Sequence, residues 1–307
     1  MNAPHSRPAD EDSARRGLGY GLAAYGFWGL LPIYFKALEA VPPVDIVAHR
    51  ILWSVPFLAL LVGLGSGWRS LATSLRNRAT VRLLLLSALL IAINWLVYVY
   101  AVVSGHILAG SLGYYLNPLA NVLLGRFVLK ERLSWLQWSA VAIAALGVSA
   151  LAMESLSHLW ISLVLCVSFA TYGLIRKIVS VGAVEGMAVE TALLSPFALA
   201  WLGWGLVAGT ASLGVTGVDT ALLLLSGIVT MIPLLLFTGA ARRLRYSTLG
   251  MLQFLAPTLQ FIVAVWIYGE QFTGAHAIAF GSIWIALILY VAALRREHRA
   301  GSATLPE

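Results

Sequence analysis

"GYYLNPLANVLLGRFVLKE" (113–131) and "LQFLAPTLQFIVAVWIYGE" (252–270) are two readings of one pattern, set 139 residues apart. The shift lays Pro118 on Pro257, Asn121 on Gln260 and Glu131 on Glu270, with thirteen positions from Pro to Glu in each. A shift of 140 lays Asp45 on Glu185, Arg50 on Glu190 and Pro56-Phe57 on Pro196-Phe197, while "YGFWG" (25–29) parallels "FATYG" (169–173). The one-residue change of offset marks a short insertion or deletion between spans, and the chain reads as a tandem repeat.

Working outward, 60% of the 307 residues are hydrophobic and only 11% charged, against about 25% charged in a soluble domain. Such a chain belongs in a bilayer, where a helix of roughly 20 apolar residues satisfies all its backbone polar groups internally. The runs do not alternate as the strands of an outer-membrane barrel would. The spacing predicts ten helical spans near 17–37, 44–64, 82–103, 107–128, 134–153, 159–177, 186–208, 219–240, 248–268 and 275–294. The apolar run from Gly17 is too long for a signal-peptide core and reads as a retained first span.

Lys and Arg accumulate in cytoplasmic loops. With the N-terminus inside, 18 of the 20 basic residues fall in cytoplasmic segments, leaving Lys36 and Arg50 as exceptions. Both termini are then cytoplasmic. The division is a tail (1–16), a first five-helix repeat (17–153), a second (159–294) and a C-terminal tail (295–307). Five is odd, so the second repeat enters the membrane inverted, with Glu131 facing the cytoplasm and Glu270 the outside. Inverted repeats recur in alternating-access transporters, whose sites lie near the midplane at the repeat interface. The net charge of +7 lies in short clusters between spans, which suits topology and not nucleic-acid binding.

Tyr114, Asn117, Pro118 and Asn121 share one helical face, and span nine offers Gln253, Pro257 and Gln260 in corresponding places. Span three adds Asn94, Trp95 and Tyr98. Two readings are open: these residues line a substrate cavity, or the amides tie helices together through bonds worth only about 0.6 kcal/mol each. Pro118 and Pro257 are candidates for helix flexing, because each removes a backbone bond. His49, Arg50 and Glu190 are candidates for gating or coupling, since ionisable groups within a span are costly and tend to face the bundle interior. Arg50 would attract an anionic group and Glu190 would serve as a proton or cation site. The alternative is snorkelling to the nearer headgroups.

The sequence holds no GxxxxGK[ST], HExxH or GxSxG, and "GYGLAA" (19–24) lies inside an apolar span without a preceding strand. Cys166 is the single cysteine, so no internal disulfide forms. Neither a cofactor, a metal site nor a catalytic residue is expected.

The segments "YGFWGLLPIYFK" (25–36), "HRILWS" (49–54), "NWLVYVYAV" (94–102), "GSLGYYLNPLANVLLG" (110–125), "SFATYGLIRK" (168–177), "GIVTMIPLLLFTGAARRLRYSTLG" (227–250) and "QFLAPTLQFIVAVWIYGE" (253–270) together resemble RarD-type members of the EamA-like drug/metabolite transporter superfamily. The resemblance covers all ten spans. It implies a ten-helix inverted-repeat permease of a bacterial inner membrane, with helices one to four and six to nine around the substrate path. Proteins of this type are commonly labelled chloramphenicol-sensitivity or resistance permeases. The expected function is secondary transport of a small organic metabolite or drug-like solute by alternating access, driven by its own gradient or by protons. The alternative, a membrane-embedded enzyme or lipid-processing protein, would need nucleophile, base or metal ligands converging at one depth. The expected partners are a small-molecule substrate and the lipid bilayer; oligomeric state is not readable.

Overall fold

The computed structural model describes residues 8–64, 72, 76–128, 130, 134–154, 156–210, 216–241, 243–244 and 252–303. Glu131 and the start of the ninth expected span at 248 lie outside the described residues. All regular structure among the described residues is helical. The main helices are α1 (Pro8–Lys36), α2 (Pro43–Leu64), α3 (Arg78–Val103), α4 (Ile107–Phe127), α5 (Trp135–Glu154), α6 (Leu156–Ile178), α7 (Ala183–Ala208), α8 (Gly217–Ala241), α9 (Leu255–Ile262) and α10 (Gly274–Ala303). Among the described residues, six helices have the length and hydropathy to cross a membrane, and Trp135–Gly147 and Leu255–Ile267 are shorter apolar helices.

Local signals set the helix ends. Asn77 caps α3 by accepting from the amides of Ala79 (2.9 Å) and Thr80 (3.2 Å). Gly209, at φ +72°, closes α7 in the left-handed conformation that glycine adopts without steric cost. The helices α1 and α10 run past the apolar stretches into polar sequence, because a helix need not stop where lipid stops.

The ninth helix departs from expectation. Among the described residues it begins at Leu255 and continues beyond Ile262 as a π-helical turn, Val263–Ile267. Gln253 therefore lies in the turn ahead of the helix instead of on its polar face. Pro257 sits in the first turn, where its missing N–H is one of the donors a helix leaves unpaired anyway. It starts a helix where the sequence suggested a weakened helix middle. By contrast, Pro118 lies within the continuous α4.

The main packing partners are α5 with α10, α4 with α6, α2 with α7 and α8, α1 with α8 and α9, and α3 with α6. Glycines allow the closest approaches. A Cβ on Gly227 would stand 2.2 Å from the carbonyl oxygen of Trp53, so α8 and α2 touch backbone to backbone there. On Gly113 it would stand 2.8 Å from the carbonyl oxygen of Ser162, where α4 meets α6. Leu30, Leu60, Leu146, Leu199, Val207 and Ile288 point outward. That is the apolar exterior a lipid-facing bundle requires.

Candidate functional site

The end of α2 from Asp45 to Ile51 is entirely enclosed, and it carries Arg50 into the interior. Arg50 is 5% exposed. Its Nε donates to Thr230 Oγ1 of α8 at 3.0 Å, and Thr230 in turn donates to the carbonyl of Ser226. The Arg50 guanidinium carbon lies 5.0 Å from the Phe35 ring centroid and 4.8 Å from that of Trp95, within cation–π range. Tyr34, Tyr98 and Tyr114 complete the electrostatic surroundings. Nη1 has no hydrogen-bond partner among the described residues, and no described carboxylate forms an ion pair with Arg50. Five helices thus converge on one buried cation: α1, α2, α3, α4 and α8.

The tyrosines are not its counter-ions. Tyr34 donates its hydroxyl proton to the carbonyl of Leu222 (2.7 Å) and Tyr114 donates to Asn94 Oδ1 (3.0 Å). The Tyr98 hydroxyl is buried without a partner among the described residues. Asn94 is fully engaged, since its Nδ2 donates to the Leu165 carbonyl (3.1 Å) and Ser168 Oγ (3.0 Å). It ties α3 to α6 and orients Tyr114. Asn117 is completely buried, with neither amide atom partnered among the described residues. Asn121 is half-buried. Gln260 donates to the Trp28 carbonyl at 3.2 Å and leaves Oε1 unpartnered. His49 Nδ1 accepts from Trp53 Nε1 at 3.3 Å, and its Nε2 is buried without a partner among the described residues.

Glu190, on α7, is 4% exposed and differently furnished. Ser87 of α3 donates to Oε1, Tyr172 of α6 donates to Oε2 at 3.5 Å, and Arg176 Nη1 lies 3.6 Å from Oε1. Arg176 also donates through Nη2 to the Gly182 carbonyl at 3.1 Å. Gly186 makes room for it, since a Cβ there would stand 1.8 Å from Arg176 Nη1. A run of ring contacts links the two charged clusters: Phe35–Tyr98 (5.9 Å), Tyr98–Tyr114 (5.3 Å), Tyr114–Phe169 (5.8 Å) and Phe169–Tyr172 (6.0 Å).

A third feature joins the segment after α9 to the start of α4. The π-helical turn and Gly269, at φ +64°, redirect the chain so that Glu270 N–H returns to the Ala264 carbonyl (3.0 Å). The Glu270 carboxylate then accepts from the amides of Ile107 (2.6 Å) and Leu108 (2.8 Å), capping α4 from 163 residues away. Burial pushes its pKa up, while the two amides and Lys36 pull it down. Among the described residues no group of three or more His, Cys, Asp or Glu is arranged to hold a metal ion.

The EamA-like transporter family matches residues 15–153. Uncharacterized transporter PA0485 of Pseudomonas aeruginosa is 47% identical over 280 residues, covering 90% of this chain and 93% of its own. Protein RarD of Salmonella typhi is 43% identical over 290 residues, covering 92% of this chain and 96% of its own. This chain belongs to the RarD-type branch of the EamA-like transporter family. A solved crystal structure, 22% identical with a TM-score of 0.61 over 91% of this chain and 98% of that one, shares the fold. As an EamA-like protein the chain is a multi-pass membrane transporter.

Several groups in this RarD-type chain escape a sequence reading. Arg176 looks like a loop charge at a span end, yet it turns inward to Glu190. Ser87, Tyr172 and Thr230 carry no motif and matter only through neighbours more than 100 residues away, or 18 in the case of Tyr172. Phe35 sits beside Lys36, where an aromatic reads as an interfacial belt residue. The inward charge pair had one available signal, Glu190 within an apolar run, since a buried carboxylate calls for a partner.

Proposed function

We propose that the protein moves a small organic solute across the bacterial inner membrane by alternating access, with residues 17–153 and 159–294 acting as inverted repeats. Both termini lie in the cytoplasm in this reading. The observation that carries it is the enclosure of Arg50 by helices of both halves, with an unpartnered guanidinium nitrogen, a tyrosine hydroxyl and an aromatic lining around it. A charge is retained inside a bilayer protein where it meets a partner or a path.

The packing supports the repeat. Adding five to each helix number turns the α4–α6 contact into α9–α1, α3–α6 into α8–α1, and α2–α8 into α7–α3, all of which occur. The contacts α2–α7, α4–α9 and α5–α10 map onto themselves. Such an interchange of contacts is what rocking one half against the other would require. Asn117 and Gln260, with unpaired amide atoms on α4 and α9, are assigned to the cavity, together with Trp95, Tyr98, Tyr114 and Asn121. Glu190 is assigned to coupling, where proton binding would loosen its hold on Arg176.

Reconstitution into proteoliposomes tests the reading. Solute-dependent flux, altered by an imposed pH gradient, is the expected result. Product formation without flux would replace transport by catalysis, and termini labelled from opposite faces would break the inverted repeat.

A further inference from the structure

The unbalanced charge at Arg50 says something about the cargo. A guanidinium buried this deeply is costly unless its charge is met and its donors are used. Here Nε is used by Thr230, and two rings face the cation at 5.0 and 4.8 Å. Nothing anionic among the described residues is paired with it. Tyr34 and Tyr114 have committed their protons to Leu222 and Asn94. Two buried donors of one cluster remain without an acceptor among the described residues: Arg50 Nη1 and the Tyr98 hydroxyl. From them the ring series runs toward Tyr172, and Trp95, Tyr114, Phe169 and Tyr172 each keep part of their surface exposed.

We infer that the transported solute carries a carboxylate that Arg50 Nη1 and the Tyr98 hydroxyl receive, with a flat apolar body lying along the Trp95, Tyr114 and Phe169 rings. A carboxylate has the acceptor geometry and charge a guanidinium matches best, and it accepts a phenolic proton equally well. Glu190 would be a poor second cation site, because Arg176 already occupies it. A cationic solute therefore has no open counter-charge at either cluster. The assignment rests on the transport reading for the word cargo, although binding itself does not.

Purified full-length protein in detergent is titrated with benzoate, benzamide, benzylammonium, acetate, chloride and inorganic phosphate, and thermal stability is followed. Benzoate is expected to raise the melting temperature. Benzamide and benzylammonium should bind about tenfold more weakly or worse, because they forfeit the charge-assisted bonds. Acetate should be weaker than benzoate for want of a ring. Arg50→Gln is expected to abolish the benzoate shift. Tyr98→Phe, which removes only an unpartnered hydroxyl and so should fold, is expected to weaken benzoate about tenfold with little effect on benzamide. A benzoate response unchanged in Tyr98→Phe overturns the assignment even where Arg50→Gln yields no folded protein. So does equal stabilisation by benzamide, benzylammonium, chloride or phosphate, or no response to any carboxylate. Flux of cationic solutes alone in proteoliposomes would remove this assignment and leave transport standing. Carboxylate binding without flux of any solute would do the reverse.

Discussion

Arg50 and Glu190 lie 140 residues apart at positions that the sequence shift aligns, and each is buried, on α2 and α7 respectively. Their surroundings differ. Glu190 has a cation, a serine and a tyrosine supplied by its own protein, whereas Arg50 has a threonine and the faces of two rings. The Glu190 charge is met by Arg176, whereas no described carboxylate pairs with Arg50. Two positions that the 140-residue shift aligns thus differ in kind: an ionic joint among α3, α6 and α7, and a cation without a paired carboxylate among the described residues, which the proposal above gives to the cargo.

The sharpest way to break this contrast is Arg176→Met, which strands the Glu190 charge. A loss of about 3–5 kcal/mol is expected, the usual cost of removing one member of a buried pair, read as a fall in melting temperature in detergent. The loss should shrink as pH falls, since a protonated Glu190 leaves no charge to strand. Wild-type stability at neutral pH would mean the pair contributes nothing.

Next in size is Glu270→Gln. An amide offers one acceptor oxygen where two amides of α4 need two, so one N–H is left buried at a cost of about 1–3 kcal/mol. Thermal stability together with hydrogen exchange at Ile107 and Leu108 reads this directly. Thr230→Val removes the protein's only hydrogen bond to the Arg50 side chain among the described residues, and about 1.5–3 kcal/mol is expected, as for bonds to charged groups. Because Arg50 then has more to gain from an anion, benzoate should stabilise this variant at least as well as wild type. Glu190→Gln strands the Arg176 charge in turn, so a lower melting temperature is expected along with loss of pH-driven flux in the protein that folds; unchanged pH dependence would confine Glu190 to the joint.

The smallest effect is expected at Asn117→Leu. Both amide atoms are buried without partners among the described residues, so an apolar isostere should leave stability within about 1 kcal/mol of wild type. Solute binding should weaken. Equal loss of folded protein would make Asn117 a tie between helices.

The spans were legible because hydropathy and Lys/Arg placement are local properties of a segment. Eight of the ten expected spans begin within four residues of the helices observed, from 44 against Pro43 to 275 against Gly274. Of the other two, the span expected from 17 is preceded by a helical polar tail from Pro8, and the start expected at 248 lies outside the described residues, among which α9 begins at Leu255. Side-chain roles were less legible. Asn94 and Asn117 look alike in sequence, yet one is saturated by α6 and the other has no partner among the described residues. Which of two asparagines meets a carbonyl depends on the rotation of a neighbouring helix, and no span records the rotation of another. Arg176 was hidden for the same reason: its inward turn depends on the missing side chain of Gly186.

The carboxylate of Glu270 belongs to the second half of the chain but terminates a helix of the first. Both bonds are made by one side chain, so separating Glu270 from α4 would uncover two amide donors together. Under the alternating-access proposal, an opening at that end would be all-or-none at this contact, completed only when water takes over both amides.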